Sequence, residues 1–366
     1  MSEINFDPVT LTQSLVKCAS VTPKDEGALT VVENHLSAIG CDCHPLTFSG
    51  NNSYEVKNLF ATIGNEGKHF AYAGHTDVVP VGNESSWKYP PFSAKIDEGK
   101  LYGRGSEDMK SSVACFISAA KRFVDKYKNI PGKISFIITG DEERDSVNGT
   151  PRILEWASKQ NYKFDHCLVG EPTSKNEVGD KVKIGRRGSV SFFFQVKGIQ
   201  GHTANSHLAE NSSHHLVNLL NSILEEPLDE GNENFLPTSV QIATIDIGNP
   251  VQNVIPELAK ATVNIRFNDM HSSDSLIKWI DNKIEKIFSK LENASCTYTY
   301  DATAESFLNK AGDLYNIISK SISDVTGRNS PPEQATDGGT SDARYIKNYC
   351  EVCLLYTSPS PRDLRK

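Results

Sequence analysis

No apolar run in the 366-residue sequence approaches the roughly 18 residues that a membrane-spanning helix requires. The opening residues, MSEINFDPVTLTQ, lack the basic and apolar regions of a secretory signal. No long basic run offsets the formal net charge of -8, which argues against a nucleic-acid-binding protein. We therefore expect a cytoplasmic protein that acts on a small molecule and binds neither membranes nor nucleic acids.

The eight cysteines do not form the pattern of a disulfide framework. Cys41 and Cys43 are too close together, and the C-x-x-C of Cys350 and Cys353 has no second pair or His at zinc-site spacing. Three others lie among apolar neighbours: Cys18, Cys115 and Cys167. We interpret these cysteines as structural thiols.

The length of 366 residues predicts two domains, and the strand pattern changes along the chain. Residues 1–178 show apolar runs that alternate with helical periodicity, as in an α/β domain. From 179 to 294 the alternation in VKIGRRGSVSFFFQVKG and later segments predicts antiparallel strands with two helices. Residues 295–353 are expected to return to the first domain.

Two short apolar segments near the start, NLFATI at 58–63 and KHFAYA at 68–73, have the composition of strands. Gly64 and Gly67 lie between them, and glycine is common in tight turns. This pattern predicts that the two strands pair directly as a hairpin.

Four segments begin as apolar runs and end in carboxylate or imidazole groups. They are AGHTDVVP at 73–80 with His75 and Asp77, LYGRGSEDMK at 101–110 with Asp108, ITGDEE at 138–143 with Glu142 and Glu143, and CLVGEPTS at 167–174 with Glu171. Ionisable residues at strand ends lie at the rim of a sheet, where ligands bind. One imidazole and several carboxylates are typical ligands of zinc and similar divalent metals.

Each motif has an ordinary structural explanation when taken alone. A single H-x-D is more often a surface pair, adjacent glutamates in a loop are usually solvated, and Asp108 before a helix is also a plain capping residue. The occurrence of all four strand-end motifs in one chain favours a metal site.

The order H-x-D, G-R-G-x-x-D-M-K, D-E-E and G-E-P-T resembles the di-zinc aminoacylase and carboxypeptidase superfamily, from the N-terminus to about residue 352. The resemblance implies an α/β zinc-peptidase-like catalytic domain, whose mixed sheet is flanked by helices, and an inserted α+β lid that also forms a homodimer. The D-E-E pair followed by N-G-T is closer to members that hydrolyse N-succinyl-LL-2,6-diaminopimelate to succinate and LL-diaminopimelate. The alternatives are a related acyl-amino-acid hydrolase, such as an acetylornithine deacetylase-like enzyme, and an inactive truncated product.

The resemblance also assigns roles to the strand-end residues. Two zinc ions, which cobalt could replace, would be held by His75, Asp108, Glu143 and Glu171, with Asp108 bridging both. Glu142 would be the general base, because a base must lie beside the attacking water. Asp77 would accept the proton on the imidazole nitrogen that does not bind metal, which fixes the tautomer of His75.

In the lid, the resemblance places His202 of GIQGHTANSH over the partner subunit's metals, where it would donate to the developing oxyanion. A His in a glycine-flanked loop is otherwise usually a surface residue. Five residues are expected to contact the carboxylates and other polar groups of the substrate: Arg186, Asn253, Arg266, Gly339 and Thr340.

The chain departs from the superfamily pattern after NYCEVC at 348–353, where LLYTSPSPRDLRK follows. The resemblance implies a further metal-binding His beyond the last strand, but no His follows His271. We therefore expect residues 354–366 to be a disordered segment foreign to the family. The second metal site should accordingly be weak and the activity of the chain low.

Overall fold

The computed structural model describes residues 4–50, 52–127, 129–309 and 312–355. The helices are α1 (Pro8–Lys17), α2 (Ala28–Ala38), α3 (Lys110–Lys126), α4 (Thr150–Lys159), α5 (Ser212–Leu224), α6 (Ser273–Phe288), α7 (Asp313–Thr326) and α8 (Ala343–Ile346). None of these helices, within the described ranges, has the length and apolar character to cross a membrane.

The strands are β1 (Asp42–Gly50), β2 (Ser53–Gly64), β3 (His69–His75), β4 (Lys95–Asp97), β5 (Lys100–Tyr102), β6 (Lys133–Thr139), β7 (His166–Val169), β8 (Lys181–Lys183), β9 (Gly185–Arg186), β10 (Gly188–Lys197), β11 (Gly201–His202), β12 (Ser239–Asp246), β13 (Val254–Ile255), β14 (Leu258–Phe267), β15 (Ser295–Ala304), β16 (Phe307–Leu308), β17 (Glu333–Ala335) and β18 (Glu351–Leu354). Leu354 therefore belongs to a strand and not to the predicted disordered segment, because its backbone pairs with Val169 of β7. The rest of that prediction, from residue 356 onward, lies outside the described residues.

Contacts divide the chain into two compact units. The first comprises Met1–Ile184, Asn309–Gln334 and Ser341–Lys366, and the second comprises Gly185–Leu308 and Ala335–Thr340. The predicted boundaries at 179 and 295 lie earlier than Gly185, where the second unit begins, and Asn309, where the first resumes. The strand pairing explains both differences. Strand β8 pairs with β18 in the first unit, and β15 pairs with β10 in the second unit.

The first unit is built on a mixed sheet with the strand order β1-β2-β6-β3-β7-β18-β8-β17. Strands β3, β6, β7 and β18 run parallel to one another, so their carboxyl ends meet at one edge. Leu15, Val32 and Val113 of the first three helices pack with Phe136 of β6 in a common core. This architecture confirms the predicted α/β class and places the strand-end motifs together.

The predicted hairpin of β2 and β3 is wrong, because β6 lies between the two strands. Strand β6 pairs antiparallel with β2 and parallel with β3. The chain between β2 and β3 crosses the start of β6 at Gly132. A Cβ on Gly64 would lie 2.1 Å from the carbonyl oxygen of Gly132, and one on Gly67 would lie 3.2 Å from its Cα. The glycines thus permit a backbone crossing rather than a hairpin turn.

The second unit contains an antiparallel sheet in the order β12-β14-β10-β15, with α5 and α6 packed on it. Alternate residues of β10, among them Phe192 and Phe194, are buried against Leu216 of α5 and Ile280 of α6. The succession β10, α5, β12, β14, α6 follows the predicted strand and helix order. The fourth strand, β15, is not among the strands predicted for this unit.

Candidate metal centre

Three parallel strands deliver the strand-end motifs to one edge of the sheet. His75 is the last residue of β3 and lies opposite Thr139, the last residue of β6. On the other side of β3, Ala73 lies opposite Val169, the last residue of β7. Residues 140–143 and Glu171 follow β6 and β7 immediately, so the fold brings them beside His75.

The imidazole of His75 is surrounded by carboxylates. Its Nε2 lies 3.2 Å from Asp108 Oδ1, 3.7 Å from Glu171 Oε1 and 3.8 Å from Glu142 Oε2. His75 is fully buried, and Glu171 is 5% exposed. The three acids come from three different loops, so their convergence is a property of the fold and not of local sequence.

Two overlapping groups of potential metal ligands emerge. His75, Asp108 and Glu143 form one, and His75, Glu142 and Glu171 form the other, with ligand atoms within 4.8 Å of one another in each group. Asp108 is not the N-cap of the helix that follows, because Met109 holds that position in α3. Its carboxylate instead lies beside the imidazole of His75.

The electrostatics of the cluster fit a bound cation. Burial alone would lower the pKa of His75, but the negative charges of Asp77, Glu142 and Glu171 raise it to about 9. Burial raises the pKa of Glu142, and the neighbouring carboxylate of Glu171 raises it further. Buried carboxylates that repel one another are stabilised when a divalent ion lies between them. The nitrogen and oxygen donors are also those that zinc and similar metals accept.

Asp77 acts on both His75 and the loop that carries the two glutamates. Nδ1 of His75 lies 2.9 Å from the main-chain oxygen of Asp77 and 3.5 Å from its carboxylate. The main-chain carbonyl of Asp77, rather than its carboxylate, is thus the closer acceptor of the imidazole proton. The carboxylate instead accepts the amides of Glu142 at 3.2 Å and Glu143 at 3.1 Å, and the hydroxyl of Thr22 at 2.8 Å.

Lys110, a buried lysine that the sequence did not predict as part of the site, is linked to His75 through Ser20 and Thr76. The side chain of Lys110 is 0% exposed, and its Nζ donates to the carbonyl of Cys18 and to Ser20 Oγ, each at 2.8 Å. Ser20 in turn donates to the carbonyl of Thr76 at 2.6 Å, next to His75. A lysine in the first turn of a helix is unfavourable for the helix dipole, and that was the signal available in the sequence.

The position of Glu171 depends on the glycine before it. A Cβ on Gly170 would lie 2.0 Å from Ser112 Oγ and 2.3 Å from the hydroxyl of Tyr72. These two hydroxyls belong to buried residues and are hydrogen-bonded to each other at 2.7 Å. Only glycine allows the chain to pass this close before it presents Glu171.

The remaining predicted residues lie in the second unit. His202 and Asn253 are both exposed. They are adjacent, because His202 pairs with Val254 between β11 and β13 and the amide of Thr203 donates to the carbonyl of Asn253 at 3.0 Å. Nδ1 of His202 accepts the amide of Ala204 at 3.1 Å, which leaves Nε2 directed away from that bond.

Arg186 and the glycine-rich segment 337–340 also come together within the second unit. Nη1 of Arg186 donates to the carbonyl of Asp337 at 2.7 Å, and Arg186 is 6% exposed. Gly339 is exposed and Thr340 is half-buried. Arg266 is half-buried on β14, with Nε donating to Asn264 Oδ1 at 3.0 Å.

Comparison with known proteins identifies relatives that extend over nearly the whole chain. The model of peptidase family M20/M25/M40 matches residues 71–363. A succinyl-diaminopimelate desuccinylase from Parvibaculum lavamentivorans is 44% identical over 347 residues, which is 95% of this chain and 87% of the relative. A succinyl-diaminopimelate desuccinylase from Ehrlichia canis is 45% identical over 351 residues, covering 96% of this chain and 90% of the relative.

Solved structures with low sequence identity share the fold. An M20 family metallo-carboxypeptidase from Sulfolobus solfataricus superposes with a TM-score of 0.74 at 16% identity, covering 96% of this chain and 91% of that one. A dinuclear metal-binding peptidase of the M20 family from Bacillus subtilis gives a TM-score of 0.65 at 13% identity, covering 95% and 87%.

Proposed function

The chain belongs to peptidase family M20/M25/M40, and from this membership we propose that it hydrolyses the succinyl amide of N-succinyl-LL-2,6-diaminopimelate. The products are succinate and LL-diaminopimelate, a precursor of lysine and of peptidoglycan. One observation carries the proposal: His75, Asp108, Glu142 and Glu171 converge at one sheet edge in a chain whose relatives of that activity are 44 to 45% identical. A biosynthetic reaction of this kind belongs in the cytoplasm.

The proposed cofactor is a pair of zinc ions held by His75, Asp108, Glu143 and Glu171, with cobalt as a possible substitute. When bound, such ions lower the pKa of water and polarise a carbonyl oxygen. Among the described residues the cluster contains a single imidazole, that of His75. The position that relies on Asp108 and Glu143 has only carboxylates of its own, so we propose that it binds its ion more weakly.

Glu142 is the proposed general base. Its carboxylate takes the proton of the attacking water as the oxygen of that water bonds to the amide carbon. Glu142 then returns this proton to the nitrogen of the leaving amine as the carbon–nitrogen bond breaks. Burial and the charge of Glu171 raise the pKa of Glu142, which makes its carboxylate a better proton acceptor near neutral pH.

The second unit supplies the proposed substrate contacts. The guanidinium groups of Arg186 and Arg266 suit the substrate carboxylates, since each presents donors in a fixed fork. Asn253 and the segment with Gly339 and Thr340 contribute an amide, backbone amides and a hydroxyl.

We further propose a homodimer that forms through the second unit, in which His202 serves the partner subunit's site. The exposed imidazole of His202 has Nδ1 engaged by a backbone amide, so Nε2 is the atom available to donate to a developing oxyanion.

Comparison of two substrates tests the proposal. The chain should hydrolyse N-succinyl-LL-2,6-diaminopimelate in a metal-dependent reaction, faster than N-acetylornithine. Faster turnover of N-acetylornithine would instead identify an enzyme of the acetylornithine deacetylase type.

A further inference from the structure

The loop at 141–149, which carries Glu142 and Glu143, is held at three points by buried carboxylates. Asp77 accepts the amides of both glutamates. Asp141 folds the loop on itself, because its Oδ2 accepts the amides of Val147 at 3.1 Å and Asn148 at 3.2 Å. The third point is Asp342, which comes from a distant part of the chain.

Asp342 binds the far side of the loop through two hydroxyl groups. Its Oδ1 accepts Ser146 Oγ at 2.9 Å, and its Oδ2 accepts Thr150 Oγ1 at 2.6 Å. Asp342 is 4% exposed, Ser146 is 0% exposed and Thr150 is 1% exposed. Asp342 stands at the N-cap of α8, but in the described part of the chain its side chain does not cap that helix. A helix-capping role therefore does not account for this buried acid.

Ser146 is the residue that needs this support. It has a φ of +55°, in the left-handed region that side chains other than glycine rarely adopt. Its hydroxyl is held by Asp342, and its carbonyl accepts the hydroxyl of Tyr345 at 3.1 Å. Arg344 supports Tyr345, since its Nη2 donates to that hydroxyl at 3.1 Å and its guanidinium lies 4.6 Å from the ring centre. Both polar ends of Ser146 are thus fixed by one short segment, 342–345.

We propose that Asp342 is a positioning residue: it fixes Ser146 and thereby holds the Glu142 carboxylate at its position beside the imidazole of His75. The catalytic part of this inference rests on the proposed function, in which Glu142 is the base. The carboxylate of Asp342 accepts bonds from Ser146 and Thr150, at the far end of the nine-residue loop. These bonds restrict the motion of the loop and therefore of Glu142. A displacement of about 1 Å at a reacting group costs up to about 100-fold in rate.

The test compares Asp342→Ala with Asp342→Asn. The alanine variant loses both hydroxyl bonds, whereas asparagine keeps an acceptor for one hydroxyl and offers a donor to the other. At saturating zinc we expect kcat to fall about 10- to 100-fold in Asp342→Ala with KM changed less than about threefold, and to recover most of that loss in Asp342→Asn. Hydrogen exchange at the amides of Glu142 and Glu143 should accelerate by about 10-fold or more in Asp342→Ala only.

Asp180→Ala is the matched control. This carboxylate lies in the same unit and also holds a loop, by accepting the amides of Lys175 and Asn176, each at 2.8 Å. Its loss should reduce stability without changing the exchange of the Glu142 and Glu143 amides.

Ser146→Gly provides an independent variant. Glycine adopts the positive φ easily, so this change removes the hydroxyl without backbone strain. It should lower kcat in the same direction as Asp342→Ala, and the double variant should be no worse than Asp342→Ala alone, because that variant already breaks the bond to Ser146.

Wild-type kcat and amide exchange in Asp342→Ala, with only a lower melting temperature, would overturn the proposal. Equal damage in Asp342→Asn and Asp342→Ala would also overturn it, because the charge and not the hydrogen bonds would then matter. The exchange measurement requires no substrate, so it decides the positioning role even if the proposed substrate is not hydrolysed.

Discussion

The main-chain oxygen of Asp77 lies 2.9 Å from Nδ1 of His75, closer than the carboxylate of the same residue at 3.5 Å. The carbonyl and the carboxylate of Asp77 therefore have different roles. Its carbonyl orients the imidazole, and its carboxylate holds the amides of Glu142 and Glu143. Since every side-chain variant keeps the carbonyl, the two tasks can be separated by mutation.

The variant Asp77→Asn should keep most of its zinc affinity, because the carbonyl still accepts the imidazole proton of His75. We expect a loss smaller than the roughly 10-fold that follows when a ligand loses its orienting partner. Turnover should fall by a larger factor, since the asparagine amide group can accept only one of the two loop amides. Calorimetric zinc titration and steady-state kinetics measure the two effects. A large loss of affinity with normal kcat would show that the carboxylate is the true partner of His75.

The adjacent glutamates should respond differently to removal. Glu142→Ala should abolish turnover but leave the metal content near normal, whereas Glu143→Ala should lose one metal. The distances group Glu142 with His75 and Glu171, so the structure alone permits the reverse assignment. Metal analysis of the purified variants decides, and loss of an ion in Glu142→Ala would exchange the two roles.

Zinc titration of the metal-free protein should reveal unequal sites. His75, Asp108 and Glu171 offer mixed nitrogen and oxygen ligands, whereas the second position relies on the carboxylates of Asp108 and Glu143. We expect one tight zinc and a second that binds far more weakly. Two comparably tight sites in the wild-type chain would show that a donor not assigned in this cluster completes the second one.

Mixing two inactive variants tests the role of His202 in the proposed dimer. Glu142→Ala and His202→Ala homodimers should each be inactive or nearly so. After subunit exchange, a mixed dimer contains one site with an intact Glu142 and an intact His202 from the partner subunit. Activity should recover to about a quarter of the wild-type value, as expected for random pairing of symmetric subunits. No recovery, with exchange verified by mass, would place His202 outside the partner's site.

The strand-end residues could be identified from the sequence because each motif is local. His75 and Glu171 lie at or just after the end of an apolar run, and parallel strands bring such ends to one edge. Asp108 lies in the loop between β5 and α3, and its G-R-G-x-x-D-M-K motif identifies it instead. The helical and strand periodicities of the two units were also visible. These features depend on neighbours in sequence, which is the information that periodicity carries.

The order of the strands and the supports of the site could not be predicted in this way. Gly64 and Gly67 are typical of a hairpin turn in the sequence. Only the structure shows that they instead allow the backbone of Gly132 to approach closely. The bonds from Lys110 to Ser20 and from Asp342 to Ser146 join residues 90 and 196 positions apart. No local pattern encodes such contacts, because each partner alone is an ordinary polar residue.

The proposed desuccinylase activity is tested by kcat/KM at saturating zinc for N-succinyl-LL-2,6-diaminopimelate and N-acetylornithine, measured with wild type and Glu142→Ala. The wild-type chain should prefer the succinylated substrate by about 10-fold or more, because a site built to pair extra carboxylates discriminates against substrates that lack them. Chelation and Glu142→Ala should both remove this activity. Faster hydrolysis of N-acetylornithine, or no hydrolysis of either substrate with zinc saturated, would show that this chain is not a succinyl-diaminopimelate desuccinylase.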